Sequence, residues 1–266
     1  MAFHSDPDTK LQLLELSHVW GHGVPSYPGQ ADVKMERAVK HAQHGVLAWR
    51  VSTSLHTGTH MIAPIYLIQK GSDLAAVSPD RLFGNGVVLN IPKKSFETIG
   101  SSDLTSAGEI REGDVVVINT GWHHKYSDGL EYYGEAPGLT EEGAQYLVKK
   151  NVKLVAVDTP FADCPLATVM GPHRGGPQMK RLAVAYEAST GKKALEEHGK
   201  LYPATKAILG ADIPIVLQVG GDVDLLNGTR ATFAATPWKF RHGDACPVRM
   251  IAMTDPQGTC RIDPGR

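Results

Sequence analysis

The stretch that decides the fold reads Leu55-His56-Thr57-Gly58-Thr59-His60-Met61-Ile62-Ala63-Pro64-Ile65-Tyr66. Its two histidines stand four residues apart, with one glycine and two threonines between them. Such a pair can converge on one ion or on one substrate atom. A catalytic zinc ordinarily has three protein ligands and one open position, so two imidazoles alone form an incomplete metal site.

The stretch resembles the motif His-x-Gly-Thr-His-x-Asp-x-Pro-x-His of the cyclase family, which contains bacterial kynurenine formamidases, isatin hydrolase and related amide- or lactone-opening enzymes. Further blocks of the chain match the family in the same order: Leu16–Trp20, Pro25–Gly29, Asn119–Trp122, Val157–Thr159, Gly171–His173, Gly220–Asp222, Pro237–Trp238 and Gly243–Arg249. The resemblance implies an α/β fold of one domain over residues 1–266. Its mixed, barrel-like β-sheet is flanked by helices, in the swivelling β/β/α arrangement of kynurenine formamidase.

Compared residue by residue, the stretch keeps the turn residues of the motif but lacks several of its metal ligands. His56 and His60 match the family's first two metal ligands, while Gly58, Thr59 and Pro64 match its turn. Four ligand positions have become apolar or neutral: Ile62 stands for an Asp, Tyr66 for a His, Thr205 for a His and Leu217 for a Glu.

These replacements bear on whether the site holds a metal. Isoleucine and leucine side chains donate no electron pair, and the hydroxyls of Tyr66 and Thr205 stay protonated at neutral pH. We therefore expect a metal-free site with no cofactor. The alternative is Zn²⁺ or Mn²⁺ held by the two histidines and one carboxylate, such as Asp158 or Asp163.

A pocket without its ion can still carry out acid-base chemistry. Imidazoles titrate near neutral pH, so His56 and His60 are candidate general bases or acids. Tyr66 is the third candidate catalytic residue, because its hydroxyl can donate to a developing oxyanion or hold a phenolic substrate. The competing interpretation is that the histidines are packed, hydrogen-bonded core residues and that Tyr66 only fills volume.

Four further residues are candidates for substrate binding by their position. Trp20 and Trp122 lie in segments that tend to wall the pocket in the family, which suggests an apolar or aromatic substrate; ordinary core packing is the alternative. Asp158 and Asp163 end a predicted buried strand, where site residues are common, yet either can instead satisfy backbone donors in a turn.

Four more candidates come from the long loop and from the replaced ligand positions. His173 and Arg174 can hold a substrate carboxylate if their loop folds inward. Thr205 and Gln218, at or beside lost ligands, are expected to line the pocket.

Other polar residues are assigned no role in the site. We interpret the adjacent His123 and His124 as surface or rim residues, and Asp244 and Arg249 as structural.

Composition limits the remaining possibilities. The chain has 266 residues, 42% of them hydrophobic, and a formal net charge of −1, which argues against nucleic acid and anionic membranes as partners. No apolar run approaches the roughly 20 residues of a membrane span, and residues 1–10 lack the core of a secretory signal, so a cytoplasmic location is expected. Three cysteines, an odd number, argue against a disulfide framework. Cys164 is interpreted as an inert buried thiol, with a reactive thiol near the site as the alternative. By analogy with the family we expect a homodimer or homotetramer.

Runs rich in Val, Ile and Leu, bounded by Gly, Pro or Asp, predict many short strands. The predicted strands are Leu11–Leu16, Val33–Ala38, Leu47–Ser52, Gly86–Ile91, Asp114–Asn119, Lys153–Asp158, Ile213–Val219, Ala231–Ala235 and Val248–Met253. Helices are predicted at Thr140–Lys150, with Thr140 as its cap, and at Pro203–Leu209. Val169–Gly191 is the candidate for a long loop that covers a pocket or a neighbouring subunit; a solvated surface loop is the alternative.

Three functions remain open. The first is an enzyme of the cyclase fold that acts on a small, aromatic or cyclic carbonyl compound by metal-independent acid-base catalysis: ring opening or closure, addition or removal of water, or a lyase step. The second is a metal-dependent amidohydrolase, similar to arylformamidases or isatin hydrolase, with an atypical ligand set. The third is a non-catalytic relative that binds a small ligand or a partner subunit. Fold analogy alone does not choose among them.

Overall fold

The computed structural model of the chain describes residues 4–170 and 177–258. Its strands, in chain order, are β1 His4–Ser5, β2 Gln12–Glu15, β3 Lys34–Val39, β4 Ala48–Ser52, β5 His60–Ile62, β6 Phe83–Asn90, β7 Thr98–Ile99, β8 Val115–Asn119, β9 Gly138–Leu139, β10 Leu154–Val157, β11 Ile215–Leu217, β12 Arg230–Ala235, β13 Ala245–Pro247 and β14 Met250–Thr254. Ten of them form one sheet in the order β1-β2-β14-β12-β6-β8-β10-β11-β5-β13. The remaining strands pair as β3 with β4 and β7 with β9.

The sheet is mixed, with parallel strands at its centre. Strands β6, β8, β10 and β11 run parallel to one another, while β5 is antiparallel to both β11 and β13. The central run Val115–Asn119 is apolar at every position but its last, and all five of its residues are buried. Strands with this composition belong in the middle of a sheet that is covered on both faces. Fully burying one such valine contributes about 1.5–3 kcal/mol.

The helices of the described residues are α1 His41–His44, α2 Pro79–Leu82, α3 Ser101–Ala107, α4 Leu130–Gly134, α5 Glu141–Lys149, α6 Pro177–Thr190, α7 Ala194–Glu197 and α8 Pro203–Gly210. Helices α3, α5 and α8 pack on one face of the sheet. Thr140 caps α5, because its hydroxyl oxygen accepts a hydrogen bond from the Gly143 amide at 2.9 Å. Leu147 of α5 and Ile208 of α8 pack with Val116 of β8 in one buried cluster.

The opposite face of the sheet is covered by the sheet itself, which curls into a half-barrel. Val115 and Val117 of β8 point to this side and share a cluster with Leu14 of β2, Phe233 of β12 and Met250 of β14. Alternate residues of one strand therefore enter two different cores. The predicted α/β architecture with a barrel-like mixed sheet is confirmed.

Most predicted elements are present. Each predicted strand overlaps an observed one, and both predicted helices form. One expectation was wrong, because the proposed loop at 169–191 contains α6. Strand β5, His60–Ile62, was not among the predicted strands. His173 and Arg174 lie outside the described residues. Across the described ranges, no helix is both long and apolar enough to cross a lipid bilayer.

Candidate active site

A tight turn brings the two motif histidines together. Gly58 adopts φ +64°, a left-handed conformation that favours glycine, and a β-carbon there would lie 3.0 Å from Cδ1 of Trp20. Thr59 secures the turn, because its hydroxyl donates to the Gln218 carbonyl at 2.6 Å and accepts from the His18 amide at 2.9 Å. The turn is therefore fixed by contacts within the protein itself.

His60 opens β5, is buried, and holds a defined tautomer. Its Nδ1 donates to the Gly58 carbonyl at 2.7 Å, because a carbonyl oxygen can only accept. Burial, together with the neighbouring His56, lowers the pKa of His60 to about 3. The ring is consequently neutral at pH 7. Its buried Nε2 carries a lone pair that meets no hydrogen-bond partner within the described part of the chain.

His56 forms a pair with Asp244. Its Nε2 donates to a carboxylate oxygen of Asp244 at 2.9 Å, and its ring centroid lies 5.3 Å from that of His60. The hydrogen bond from His56 lowers the pKa of Asp244, so this carboxylate is ionised at neutral pH. Asp244 directly precedes β13, whose pairing with β5 brings it to the motif. The interpretation of Asp244 as a structural residue is therefore incomplete, because its hydrogen bond to His56 places it beside the motif.

Three tyrosine hydroxyls gather beside these histidines. The ring of Tyr66 lies 4.8 Å from that of His56 and 6.3 Å from that of Tyr202. The hydroxyls of Tyr27 and Tyr202 are 3.0 Å apart. Burial raises the pKa of both Tyr27 and Tyr66, so their phenols remain protonated hydrogen-bond donors. Neither Tyr27 nor Tyr202 was a candidate from sequence, although Tyr27 lies within one of the family-like blocks.

Two of the replaced ligand positions, Ile62 and Leu217, carry hydrocarbon side chains. Ile62 and Leu217 are both buried in the helix-side cluster, and Leu217 is the direct partner of His60 in the pairing of β11 with β5. Neither side chain offers a ligand atom, and among residues 4–170 and 177–258 no third His, Cys, Asp or Glu joins His56 and His60 in a group whose donor atoms all lie within 4.8 Å of one another. These residues do not fit a catalytic zinc or manganese at the motif.

The carboxylates offered as substitute ligands have other partners. Asp158 accepts from the Thr120 hydroxyl at 2.7 Å and from Nδ1 of His123 at 3.2 Å. Asp163 accepts from the amide of Ala204 at 2.7 Å, and from the amide and hydroxyl of Thr205. Burial raises the pKa of Asp163 to about 6 despite these donors. Asp163 and Thr205 thus bond each other at the start of α8.

The remaining candidates surround this centre in different ways. Trp20 packs on Gly58, and its buried Nε1 has no acceptor among residues 4–170 and 177–258. Gln218 is buried with φ +59°, and its amide donates to the Tyr133 hydroxyl at 3.2 Å. Trp122 donates instead to the backbone of Tyr132 at 3.0 Å, within an aromatic cluster. Substrate contact by these residues stays a prediction.

His123 and His124 behave differently from each other. His124 is exposed, as expected for a rim residue, whereas His123 is buried with 7% of its surface exposed. The expectation of a surface position was wrong for His123, because the chain enters a 3-10 helix at Trp122–Lys125 instead of continuing as a strand. Both rings approach Asp224.

Comparisons with known proteins agree with this architecture. A family model described as putative cyclase matches residues 14–164. Kynurenine formamidase from Erythrobacter litoralis (strain HTCC2594) is 25% identical over 164 residues, which cover 61% of this chain and 73% of that protein.

Two solved structures share the fold. Isatin hydrolase A from Labrenzia aggregata bound to benzyl benzoate has a TM-score of 0.73 at 20% identity, covering 92% of this chain and 94% of that one. A protein described as a potential metal-dependent hydrolase with cyclase activity has a TM-score of 0.66 at 18% identity, covering 92% and 100%. At these identities the likeness concerns the fold.

Proposed function

Because the chain belongs to the putative cyclase family, whose relatives named above are hydrolases, we propose that it is an enzyme that acts on a small aromatic or cyclic carbonyl compound by acid-base catalysis. The proposal requires no metal at His56 and His60. The observation that carries it is the hydrogen bond between His56 and Asp244, beside a neutral His60 and apolar residues at two lost ligand positions.

His56 is the proposed general base and acid. With Nε2 donating to Asp244 at 2.9 Å, neutral His56 keeps its lone pair on Nδ1. Proton uptake at Nδ1 creates an imidazolium that the Asp244 carboxylate stabilises, which is the role a carboxylate plays behind a catalytic histidine. An imidazole supported in this way typically contributes about 10²–10⁴-fold to rate.

His60 is proposed to position the substrate and to take no proton. A pKa of about 3 makes its Nε2 a weak base at neutral pH, yet the lone pair still accepts hydrogen bonds. A substrate N–H or a water molecule can supply the missing donor. Satisfying a buried acceptor of this kind is worth about 1–3 kcal/mol, which favours substrates with a donor beside the carbonyl group.

Tyr66 is the proposed oxyanion donor. Burial keeps its phenol protonated, so it can stabilise a carbonyl oxygen as negative charge develops there. The surrounding rings of Tyr27 and Phe161, 5.4 Å apart, offer edges and faces suited to an aromatic substrate.

In the hydrolytic direction, His56 acts first as the base and then as the acid. Water forms a bond to the carbonyl carbon while His56 takes its proton, and the carbonyl electron pair moves to the oxygen facing Tyr66. The carbon–nitrogen or carbon–oxygen bond then breaks as the oxyanion collapses. His56 returns the proton to the leaving atom, which restores the starting state. Ring closure and loss of water are the reverse sequence.

A substrate panel with chelation tests this proposal. Turnover of arylformamides, cyclic amides and aryl lactones is measured before and after exhaustive dialysis against a chelator, for the natural chain and for His56→Ala. We expect unchanged turnover after chelation and a loss of about 10²–10⁴-fold in the variant. His242→Asn is the matched control, because the His242 side chain is 83% exposed and asparagine tolerates its φ of +59°.

The other outcomes separate the alternatives. Activity that disappears on chelation and returns with Zn²⁺ or Mn²⁺ would support the metal-dependent amidohydrolase. Saturable binding of panel compounds without turnover would support the non-catalytic relative.

A further inference from the structure

Three side chains outside the proposed catalytic site meet at one carboxylate oxygen. His123 and His124 lie in the 3-10 helix Trp122–Lys125, and Asp224 lies in a second 3-10 helix, Val223–Leu226. Oδ2 of Asp224 is 3.4 Å from Nε2 of His123 and 2.9 Å from Nε2 of His124. Among residues 4–170 and 177–258, this is the one group of three or more potential metal-ligating side chains whose donor atoms all lie within 4.8 Å of one another.

The hydrogen bonds behind this group fix the orientation of two of its members. Nδ1 of His123 lies 3.2 Å from Oδ2 of Asp158, a fully buried carboxylate, so Nδ1 is the protonated nitrogen. Nδ2 of Asn119 donates to Oδ1 of Asp224 at 2.7 Å, which leaves Oδ2 for the histidines. Metal-binding histidines and carboxylates are commonly held in this way by residues behind them.

In this arrangement two hydrogen-bond acceptors, Nε2 of His123 and Oδ2 of Asp224, face each other. With its proton on Nδ1, neutral His123 directs the lone pair of Nε2 at the carboxylate of Asp224, 3.4 Å away. Two lone pairs at that distance repel unless a positive charge lies between them. A second proton on His123 is one solution, and a metal cation shared with His124 is the other.

We propose that His123, His124 and Asp224 bind a divalent transition-metal ion of the Zn²⁺ class. Two ligand atoms each about 2.1 Å from a tetrahedral ion are about 3.4 Å apart, which matches the separation of His123 and Asp224. The 2.9 Å contact between Nε2 of His124 and Oδ2 of Asp224 is shorter and must widen. The His124 side chain is 65% exposed, so solvent lies beside it. Two imidazoles and one carboxylate favour zinc, cobalt or nickel over magnesium or calcium.

The proposed metal site uses none of the motif residues, and the expected effect of a bound ion is on stability. Asn119 ends β8 and Asp158 directly follows β10, so a bound ion would join both 3-10 helices to the ends of two central strands. Asp224 is 41% exposed, which leaves room for a water ligand and for entry of the ion. An ion bound only in the folded chain raises the melting temperature.

Metal titration of the full chain tests the proposal. After removal of metal by a chelator, Zn²⁺ is titrated calorimetrically and Co²⁺ is followed by its visible absorption, which reports coordination geometry. We expect one equivalent per chain, an upward shift of Tm, and affinity weakened more than about 10-fold in His124→Ala and Asp224→Asn. Asp158→Asn, which alters only the residue behind His123, is expected to cost about 10–100-fold.

Controls distinguish this site from the motif. We expect one equivalent of bound Zn²⁺ per chain to be kept in three variants: His56→Ala, His60→Ala and the exposed His242→Asn. Binding that is equal in His124→Ala, Asp224→Asn and the natural chain would overturn the proposal, as would the absence of saturable binding. If the bound equivalent of Zn²⁺ is lost in His56→Ala but retained in His124→Ala, the proposal is overturned. That result would also contradict the metal-free catalytic site.

Discussion

The buried carboxylate of Asp163 makes stability depend on pH in a way that one substitution removes. Burial raises its pKa from 3.8 to about 6 in the folded chain, while in the unfolded chain the ordinary value applies. The folded state therefore binds the extra proton between these two values, so this stabilisation is complete below pH 3.8 and is lost as the pH rises through 6. Between pH 4 and pH 7.5 the difference amounts to about 2–3 kcal/mol, at about 1.4 kcal/mol per pKa unit.

Asp163→Asn abolishes this titration while keeping an oxygen for the amide of Ala204. We expect the free energy of unfolding lost by the variant to be about 2–3 kcal/mol larger at pH 4 than at pH 7.5, measured by urea titration at both pH values. Asp32→Asn removes an exposed carboxylate and controls for net charge. A loss that is the same at both pH values would refute the reasoning, since it would mean that Asp163 does not take up a proton in the folded chain.

Three further predictions concern the surroundings of the site. Gly220→Ala would bring a β-carbon within 2.4 Å of the His18 ring and is expected to destabilise the chain by about 1–3 kcal/mol in urea titrations, whereas Gly210→Ala, whose nearest contact is 4.0 Å away, should not. Trp122→Phe leaves the backbone carbonyl of Tyr132 without its donor and should cost about 1–3 kcal/mol by the same method. Burial lowers the pKa of His18 from 6.5 to about 4, so its ring should titrate near 4 by NMR and stability should fall as the pH drops from 6.5 to 4; a midpoint near 6.5 would contradict its burial.

The fold was predictable from the sequence because its central strands are continuous apolar runs. Val115–Asn119 and Leu154–Val157 are buried on both faces, so their composition identifies them without any knowledge of their partners. Helix α6 was not predicted from its apolar pattern. Leu182 and Tyr186 are buried one turn apart, but Val184 between them is 67% exposed, so the apolar periodicity is weak. Strand β5 was missed because three residues are too short for a pattern.

The site was predictable only where its residues share one segment. His56, His60 and Tyr66 lie together in the chain, and the structure also brings their rings together. Asp244 reaches His56 across a sequence separation of 188 residues, through the pairing of β13 with β5, which no local pattern encodes. The block Gly243–Arg249 was the available indication, because it followed the family order.

The turn that holds the motif explains why its frame survives without its ligands. Thr59 is bonded to Gln218 and His18 irrespective of any ion, so Gly58 to His60 keep their conformation when neighbouring ligands are replaced. Restoring a ligand is a different matter, since Ile62 and Leu217 are packed in the helix-side core cluster.

Ile62 is 1% exposed and lies in the helix-side core cluster, so Ile62→Asp would bury a carboxylate among hydrocarbon side chains. An uncompensated buried charge costs about 3–5 kcal/mol. Ile62→Val, a change of one methyl group, should cost about 0.5–1.5 kcal/mol. We expect urea titrations of Ile62→Asp to show the larger loss both with and without Zn²⁺. Recovery of stability by Zn²⁺ in this variant alone would mean that His56, His60 and one carboxylate still suffice to bind the ion, and that the loss of ligands here is reversible in a single step.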